Sequence, residues 1–488
     1  MGSNQGTRRE KCECLDSDPL SGTPKHKREE NVDTEGLTHF PEPKNTKEEE
    51  MDSKKRVTRA DFLRGAAVAG AGLAAASCAP AATPPPTPTA APSAAPTVAP
   101  TVAPTAAPTK DKIVVGMARP LSGPLAVIGD SAFKPIYETW VQRTNDDGGV
   151  YVEEYGKQLP IELIVYDDTS DVGTMVRLTE KLILEDKVDF LWPACGTSFV
   201  FAQAPIANKY EYVLVTAEGG ATQIKDMLPS LPYVFVTLSF SDWYQLPVFA
   251  DIMSAAGATT AYVTYIADLH GIEYSGIAGI EFPKKGIEII GLKSLPPDIK
   301  DLSPVIKDAK ASGADIFCCF AYPDQVMPAT GTSIELAYNP KAWIGGPGVN
   351  FGFYHAAFGP MVEGVCGFSC FARGSSPELD ELADILYEGK PEEIQDWWGH
   401  PFYWAGLDMW KAAIEKAGTL DQKAIRDVLA TETLDTVLGP TWFENGLLAK
   451  DAHAGEIGQW INGVFEVVGP TDKATAELVY PKPAWPTG

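Results

Sequence analysis

The sequence predicts an α/β protein built from two lobes, each with a doubly wound parallel sheet. Short apolar runs, typical of buried parallel strands, alternate with longer segments of helical character, and this alternation restarts once along the chain. The length of 488 residues exceeds one ordinary domain and suits two lobes with tails.

The first alternating unit begins at Ile113 and ends near Val215. Its predicted strands are 113–117, 161–166, 190–192 and 213–215, and its predicted helices are 131–145, 171–186 and 199–210. Strand–helix–strand units of this kind connect parallel strands by right-handed crossovers, so one sheet covered by helices follows.

The second unit repeats the pattern. Its predicted strands are 260–266, 287–290, 315–320 and 342–345, and its predicted helices are 274–285, 302–312 and 325–337. A mostly helical stretch, 377–430, comes next, and its tryptophans Trp397, Trp398, Trp404 and Trp410 are expected to pack helices. A hairpin ends the body, because Asn462-Gly463 lies between the apolar runs 459–461 and 464–468.

The first 111 residues divide into three segments with different compositions. Residues 1–50 are polar and charged, which predicts disorder, and we expect them to be a mis-called extension before a true start at Met51. Cys12 and Cys14 lie there as a CxC pair without a second pair of metal ligands.

Residues 51–77 have the layout of an export signal. A basic region precedes the apolar run 65–76, which is too short to span a bilayer. The stretch ending at Ser77-Cys78 resembles a bacterial lipobox, with Ala75 where leucine is usual, so Cys78 is the expected lipidation site. The segment 58–64 resembles a twin-arginine signal with Ala60 in place of the second arginine, which leaves the export route open.

Residues 78–111 carry the lipidated cysteine and an Ala/Pro/Thr-rich tether. Such chains favour polyproline II at about 3.1 Å per residue, so the tether reaches on the order of 90 Å. The expected location is therefore outside the cell membrane, with the lipid anchor as the only membrane attachment.

The charge balance excludes one class of partner. The chain has 40 Lys and Arg against 65 Asp and Glu, a formal net charge of -25. Such a surface repels phosphate, so we expect no nucleic-acid partner.

The segment 194–198 follows a predicted strand and precedes a predicted helix. A helix N-terminus offers free N–H groups and a partial positive charge, Gly196 permits close approach, and Thr197 and Ser198 add hydroxyls. These features predict a carboxylate cradle; an ordinary N-cap is the alternative.

Motifs in a fixed order resemble the substrate-binding proteins of branched-chain (hydrophobic) amino acid ABC transporters, in a LivJ-like lipoprotein form. The order covers about 112–470 and consists of 119–124, 129–130, 145–150, 166–168, 413–418, 437–440 and 458–460. The resemblance implies the type I periplasmic-binding fold, with three hinge crossings near 238–241, 367–373 and 438–443.

Lobe one would comprise 112–240 plus 371–440, and lobe two 241–370 plus 441–480. Closure of the lobes around a ligand in the crevice beyond the strand ends is then the expected mechanism. The expected partners are an amino-acid-like small molecule, a permease and its ATPase, and we expect a monomer without a cofactor.

The resemblance also implies ligand contacts from both lobes. In lobe one the loop 216–222 follows a strand end and offers Glu218, Gly219 and Thr222. In lobe two, Tyr274 and Tyr322 stand at positions where the family has aromatic ligand contacts. A tyrosine ring suits this role, because its face attracts ammonium groups and packs against alkyl groups. Ile128 stands where the family has an aromatic residue, and Trp192 lies beside the predicted cradle.

One departure from the family leaves the ligand open. The acid that pairs with the ligand ammonium is missing from 344–349, and Glu218 or Asp324 are the candidates to replace it. The ligand is therefore an amino acid held differently, or a neutral amide or a carboxylate.

Other chemistry is sparse. The histidines have no metal-ligand spacing, and Walker A, HExxH and GxSxG motifs are absent, so we expect neither a metal nor an enzyme. A surface-anchored hydrolase using Glu218 and a sensor with the same lobes are the alternatives. Cys318 and Cys319 are expected to be buried thiols. Cys366 and Cys370 are candidates for a disulfide bridge in an oxidising compartment, and their local geometry decides whether it forms.

Overall fold

A computed structural model describes residues 109–485, apart from 239–241, 243, 244, 454 and the side chains of Ser131 and Ala132. The predicted extension 1–50, export signal 51–77, lipidation site Cys78 and most of the tether lie outside the described residues. Everything described belongs to one compact unit, Pro100–Gly488.

The first half of this unit contains strands and helices in regular alternation. The strands are β1 (Ile113–Arg119), β2 (Val150–Val152), β3 (Lys157–Leu159), β4 (Ile161–Asp167), β5 (Phe190–Leu191), β6 (Leu214–Thr216), β7 (Val234–Val236), β8 (Thr260–Ile266) and β9 (Glu288–Leu295). The helices are α1 (Lys134–Asp146), α2 (Val172–Lys181), α3 (Thr197–Lys209), α4 (Ile224–Met227), α5 (Leu246–Ala255) and α6 (Leu269–Lys284).

The second half completes both lobes. Its strands are β10 (Ile316–Phe320), β11 (Ala342–Gly346), β12 (Cys366–Ser369), β13 (Leu434–Thr436), β14 (Gly439–Thr441), β15 (Phe443–Glu444), β16 (Leu447–Leu448), β17 (Glu456–Ile461) and β18 (Val464–Gly469). Its helices are α7 (Ser303–Ser312), α8 (Pro323–Glu335), α9 (Gly352–Phe358), α10 (Pro377–Tyr387), α11 (Gly399–Ala417) and α12 (Gln422–Thr431).

Parallel pairing dominates the first lobe. One sheet has the strand order β4-β1-β5, and the other has the order β15-β16-β7-β6, in which β7 pairs parallel with both neighbours. Helix α11 packs on α1, β2 and β6, so the late helical stretch belongs to this lobe. Its core includes the edge-to-face rings of Trp140, Trp192 and Trp410.

The second lobe is a single mixed sheet with the order β18-β17-β12-β11-β10-β8-β9. Its strands β8 to β12 are parallel, whereas β17 and β18 are antiparallel additions. The predicted parallel sheet is confirmed for β8 to β12, and the predicted hairpin adds two antiparallel pairings at one edge. The hairpin between β17 and β18 turns at Asn462 and Gly463, both with positive φ, as predicted.

The chain passes between the two lobes three times. The first passage lies between β7 and α5 and contains the predicted crossing at 238–241, most of which is outside the described residues. The second follows β12, and the third lies between β16 and β17. The sequence assigned 441–480 to lobe two, but β16 pairs with β7, which places 443–448 in the first lobe.

Side-chain caps begin several helices. Asp171 accepts a hydrogen bond from the Thr174 N–H at 2.7 Å at the start of α2, and Asp268 accepts one from Gly271 at 2.9 Å at α6. Helix α3 differs, because Gly196 precedes it and no side chain caps it. Its first N–H groups therefore stay available for another acceptor.

Cys366 and Cys370 are free thiols, both buried. Four residues along a strand span roughly 13 Å, which is beyond the reach of a disulfide. The proposed bridge between them is therefore excluded in this fold. Among the described residues, no helix has the combination of length and apolar character that a bilayer span requires.

Candidate functional site

A buried cavity lies between the two lobes, with α3 on one side and α6 on the other. Its volume is about 50 Å³. The residues that form its wall are Ile128, Phe133, Gly196, Thr197, Ala217, Glu218, Gly219, Gly220, Ala221, Leu238, His270, Glu273, Tyr274, Tyr322, Pro347, Trp398, Gly399 and Tyr403.

Most of the sequence-predicted site residues meet in this wall. Those that line it are Ile128, Gly196, Thr197, Glu218, Gly219, Tyr274 and Tyr322. Strand ends from separate parts of the sequence therefore converge on one space, as open α/β sheets generally arrange their ligand sites.

Four predicted residues lie outside the wall. Ser198 is on α3 one residue beyond it, and Trp192 packs behind it, with its ring 5.4 Å from that of Tyr137. Thr222 is occupied by a carboxylate of the other lobe, described below. Asp324 is exposed at the start of α8, so Glu218 is the one of the two proposed replacement acids that reaches the cavity.

The N-terminus of α3 offers free donors to the cavity. The backbone N–H and the hydroxyl of Thr197 have no hydrogen-bond partner among the described residues. Gly196 has φ of 101°, which glycine adopts without strain, and a Cβ there would lie 3.9 Å from the hydroxyl of Tyr322. The two lobes thus approach closely at this point.

Glu218 is held by donors of the first lobe. Its carboxylate accepts hydrogen bonds from the Gly196 N–H and from the Tyr403 hydroxyl. The guanidinium of Arg119 lies 3.4 Å from the same carboxylate and donates at 3.1 Å to the carbonyl of Pro193. A carboxylate of the protein itself therefore occupies part of the predicted cradle.

Arg119 remains charged although it is only 1% exposed. Burial favours its neutral form, yet neighbouring groups, Glu218 among them, hold the pKa of Arg119 above its usual value. The ring of Tyr137, 5.2 Å from the guanidinium carbon, adds a cation–π contact. Arg119, which lies outside the cavity wall, and the wall residue Glu218 thus form a buried ion pair.

A second carboxylate connects the lobes. Glu273 on α6 accepts hydrogen bonds from the backbone N–H of Thr222 at 3.0 Å and from its hydroxyl at 2.9 Å. Glu273 is buried and also belongs to the cavity wall. These bonds cross from lobe two to lobe one, so this conformation is a closed one.

Aromatic rings form the lobe-two side of the cavity. The ring of His270 stacks on Tyr322 at 5.1 Å and lies 4.6 Å from Tyr274. His270 Nε2 is 3.1 Å from the carbonyl oxygen of Gly346, and the Tyr274 hydroxyl donates to Gln245. These contacts fix the orientation of the two tyrosines that the sequence singled out.

Burial keeps the tyrosine hydroxyls and the histidine ring of the cavity neutral. It raises the pKa of Tyr274, Tyr322 and Tyr403 well above the usual tyrosine range and lowers the pKa of His270. The cavity therefore presents phenols and a neutral imidazole, and the formal charges in its wall come from Glu218 and Glu273.

Several wall residues were missed by sequence reasoning. Glu273 belongs to the motif that predicted Tyr274 as a ligand contact, but it was assigned no role itself. Arg119, which lies outside the wall and pairs with Glu218, was also assigned no role, although a basic residue that ends an apolar strand indicates a buried charge. Trp398 was expected to pack helices, yet it lines the cavity. Trp398 and Tyr403 come from a segment far along the chain, and no local pattern connects them to the site.

Comparisons with known proteins agree with this architecture. The model of the periplasmic binding protein family matches residues 112–459. The leucine-, isoleucine-, valine-, threonine- and alanine-binding protein of Pseudomonas aeruginosa is 24% identical over 345 residues, which cover 68% of this chain and 86% of that protein.

Solved structures with the same fold include proteins with bound small molecules. The branched-chain amino acid transporter substrate-binding protein LivJ of Streptococcus pneumoniae, in complex with isoleucine, has a TM-score of 0.63 at 17% identity and covers 76% of this chain and 100% of its own. A solute-binding protein of an R. palustris ABC transporter, in complex with 4-hydroxybenzoate, has a TM-score of 0.63 at 18% identity and covers 77% and 98%.

Proposed function

Because the chain belongs to the periplasmic binding protein family, we propose that it is the extracytoplasmic solute receptor of an ABC importer. It closes around an amino-acid-like molecule, with a branched-chain or other hydrophobic amino acid as the first candidate, and delivers it to a permease. The observation that carries this proposal is the closed cavity lined by Thr197 from one lobe and Tyr274 from the other.

The free donors at α3 suit the carboxylate of such a ligand. The Thr197 N–H and hydroxyl lie at a helix N-terminus, where an anion is stabilised by the helix dipole. The ion pair with Arg119 offsets the negative charge of Glu218 nearby, which reduces repulsion of a second carboxylate. Isoleucine and 4-hydroxybenzoate, bound by two proteins of this fold, both carry a carboxylate.

The lobe-two side suits an ammonium group. Glu273 supplies a negative charge, and the rings of Tyr274 and Tyr322 supply π faces that attract cations. In this arrangement Glu273 takes the role of the acid missing near Gly346–Gly348. A buried ammonium without such a partner would cost several kcal/mol.

The remaining wall is apolar, and the space is small. Ile128, Phe133, Leu238 and Trp398 enclose the position left for a ligand side chain. One water needs roughly 10–15 Å³ by the same measure, so about 50 Å³ admits only the smallest amino acids in this conformation. A branched-chain ligand requires the lobes to part slightly.

A thermal-shift screen of the full chain tests the proposal. The panel contains the amino acids, their amides, short carboxylates and hydroxybenzoates, and a true ligand at 100 times its Kd stabilises the protein by about 2.7 kcal/mol. Thr197→Val, which keeps the backbone donor and removes the hydroxyl, should reduce the shift, and Thr431→Val, a change on α12 outside the cavity, should preserve it. A panel in which no compound raises the melting temperature contradicts the proposal.

The hydrolase alternative has a specific obstacle. The Glu218 carboxylate already accepts hydrogen bonds from Gly196 and Tyr403 and pairs with Arg119, so its lone pairs are poorly placed to take a proton from water. Turnover of an ester and amide panel that disappears in Glu218→Gln would overturn this argument. Isolation of the membrane proteins that bind the chain distinguishes the two remaining functions, because an importer binds a permease and a sensor does not.

The anchoring at Cys78 is the part of the proposal that rests on sequence alone. Export followed by lipidation places the binding lobes on a tether outside the cell membrane. Labelling with a fatty acid should modify the wild-type chain and spare Cys78→Ser, which should leave the membrane fraction. Equal membrane association of both proteins would contradict the anchor.

A further inference from the structure

Three side chains of the kinds that bind metal ions meet where the chain passes between the lobes. Ser369, the last residue of β12, pairs with Glu456, the first residue of β17. Cys370 therefore begins the second passage beside the end of the third, where His453 and Glu456 lie. The sulfur of Cys370, a ring nitrogen of His453 and a carboxylate oxygen of Glu456 all lie within 4.8 Å of one another.

The separations between these atoms match those of ligands around one metal ion. Cys370 Sγ lies 3.3 Å from His453 Nε2, which lies 3.4 Å from Glu456 Oε2. Around a tetrahedral Zn²⁺ with bonds of about 2.3 Å to sulfur and about 2.0–2.1 Å to nitrogen and oxygen, such pairs are about 3.4–3.6 Å apart. The three side chains therefore need to move little to coordinate one ion.

An independent observation points to a missing partner. Glu456 is 3% exposed, and its Oε2 has no hydrogen-bond partner among the described residues. A buried carboxylate oxygen without a donor is costly. Its other oxygen, Oε1, accepts from the Lys473 ammonium at 2.8 Å, so Oε2 is the atom left to face a cation.

The geometry points to a Zn²⁺ site formed by Cys370, His453 and Glu456. Thiolate, imidazole and carboxylate are the three protein ligand types of zinc, and the thiol proton is released when the ion binds. The cluster borders a surface cavity of about 710 Å³, from which water reaches the fourth position. Two anionic ligands balance the ion, which makes the nearby charge of Lys473 tolerable.

Such an ion would join two of the three passages between the lobes. Cys370 belongs to the second passage, and His453 belongs to the third. The site lies outside the wall of the ligand cavity, so metal binding and solute binding can be measured separately. The bound metal would hold the two passages at a fixed separation during closure.

Cobalt titration of the full chain tests the site. Cys12, Cys14 and Cys78 are replaced by serine in every protein so that they cannot bind the probe, and metal is first removed with a chelator. We expect one Co²⁺ per chain, a thiolate-to-cobalt charge-transfer band, and displacement by Zn²⁺. Zn²⁺ should also raise the melting temperature of the metal-free protein.

Variants assign the ligands. Cys370→Ser and His453→Gln should remove the charge-transfer band, and Glu456→Gln should weaken Co²⁺ binding more than about ten-fold. Cys366→Ser, a buried thiol on the adjoining strand, is the matched control and should retain the band. Near-UV circular dichroism verifies that each metal-free variant is folded, and Glu456→Gln decides the matter should Cys370→Ser not fold.

Two results overturn the site. One is the absence of a charge-transfer band in the protein with Cys370, His453 and Glu456 intact, which would leave a cysteine hydrogen-bonded to a histidine beside a glutamate, without a metal. The other is equal Co²⁺ affinity in folded Glu456→Gln and in its parent.

Discussion

The carboxylate of Glu273 accepts two hydrogen bonds from Thr222, one from its backbone N–H at 3.0 Å and one from its hydroxyl at 2.9 Å. Glu273 lies on α6 of the second lobe, and Thr222 follows β6 of the first. The same threonine was predicted to contact a ligand. Both of its donors bind Glu273, and these bonds connect the two lobes in this conformation.

Thr222→Val removes the hydroxyl half of this link while keeping the backbone bond. A hydrogen bond to a charged group contributes about 1.5–3 kcal/mol, so the closed form should lose population and the affinity for a ligand found by thermal shift should fall about ten-fold or more. Calorimetry measures the affinity, and Thr431→Val is the control. An unchanged Kd would show that the link does not bias closure.

Glu218 is predicted to stabilise the fold through Arg119. The two side chains are 10% and 2% exposed, and Glu218→Gln leaves the guanidinium without its counter-charge, at a cost of about 3–5 kcal/mol. Glu162→Gln breaks the exposed pair with Lys112 and should cost about 1 kcal/mol or less. Urea denaturation compares them, and equal losses would contradict the buried pair's role.

Trp398 should report ligand binding by its fluorescence. Its ring lies in the cavity wall, 5.5 Å from Phe368, and its indole N–H has no hydrogen-bond partner among the described residues. Ligand entry should therefore shift or quench its emission. Trp398→Phe should abolish that change, whereas Trp442→Phe, outside the cavity, should preserve it. A full response in Trp398→Phe would place the reporter elsewhere.

Local patterns predicted most of the fold. The run Ile316–Phe320 is wholly buried between two parallel neighbours, and such strands are recognisable as continuous apolar segments. Asn462-Gly463 predicted its hairpin for a similarly local reason. The two-residue strands β15 and β16 have no such pattern. Because β16 pairs with β7, the boundary between the lobes lies after 448 and not at the predicted position.

The site was predictable where it consists of strand-end loops and not where it depends on distant partners. Gly196 and Thr197 follow a strand and begin a helix, a local pattern. Glu218 meets Tyr403 from 185 residues along the chain, and Cys370 meets His453 from 83 residues away. Such contacts are set by the packing of whole lobes, which spacing in the sequence does not record.

The stability of the protein should depend on pH through Asp408. Burial raises the pKa of Asp408 to about 7, against about 3.9 in an unfolded chain, while the Trp140 indole donates to it at 2.9 Å. Between these values the folded state binds the extra proton, so stability falls as pH rises, by at most about 1.4 kcal/mol per unit. Asp408→Asn should flatten this slope between pH 4 and pH 7 in urea denaturation.

Asp315 is the opposite control: burial alone would raise its pKa, but hydrogen bonds such as that from Lys341 lower it to about 2, so Asp315→Asn should remove stability that the wild type loses only in stronger acid. An Asp408→Asn protein with the wild-type slope would show that this carboxyl is already ionised below neutral pH.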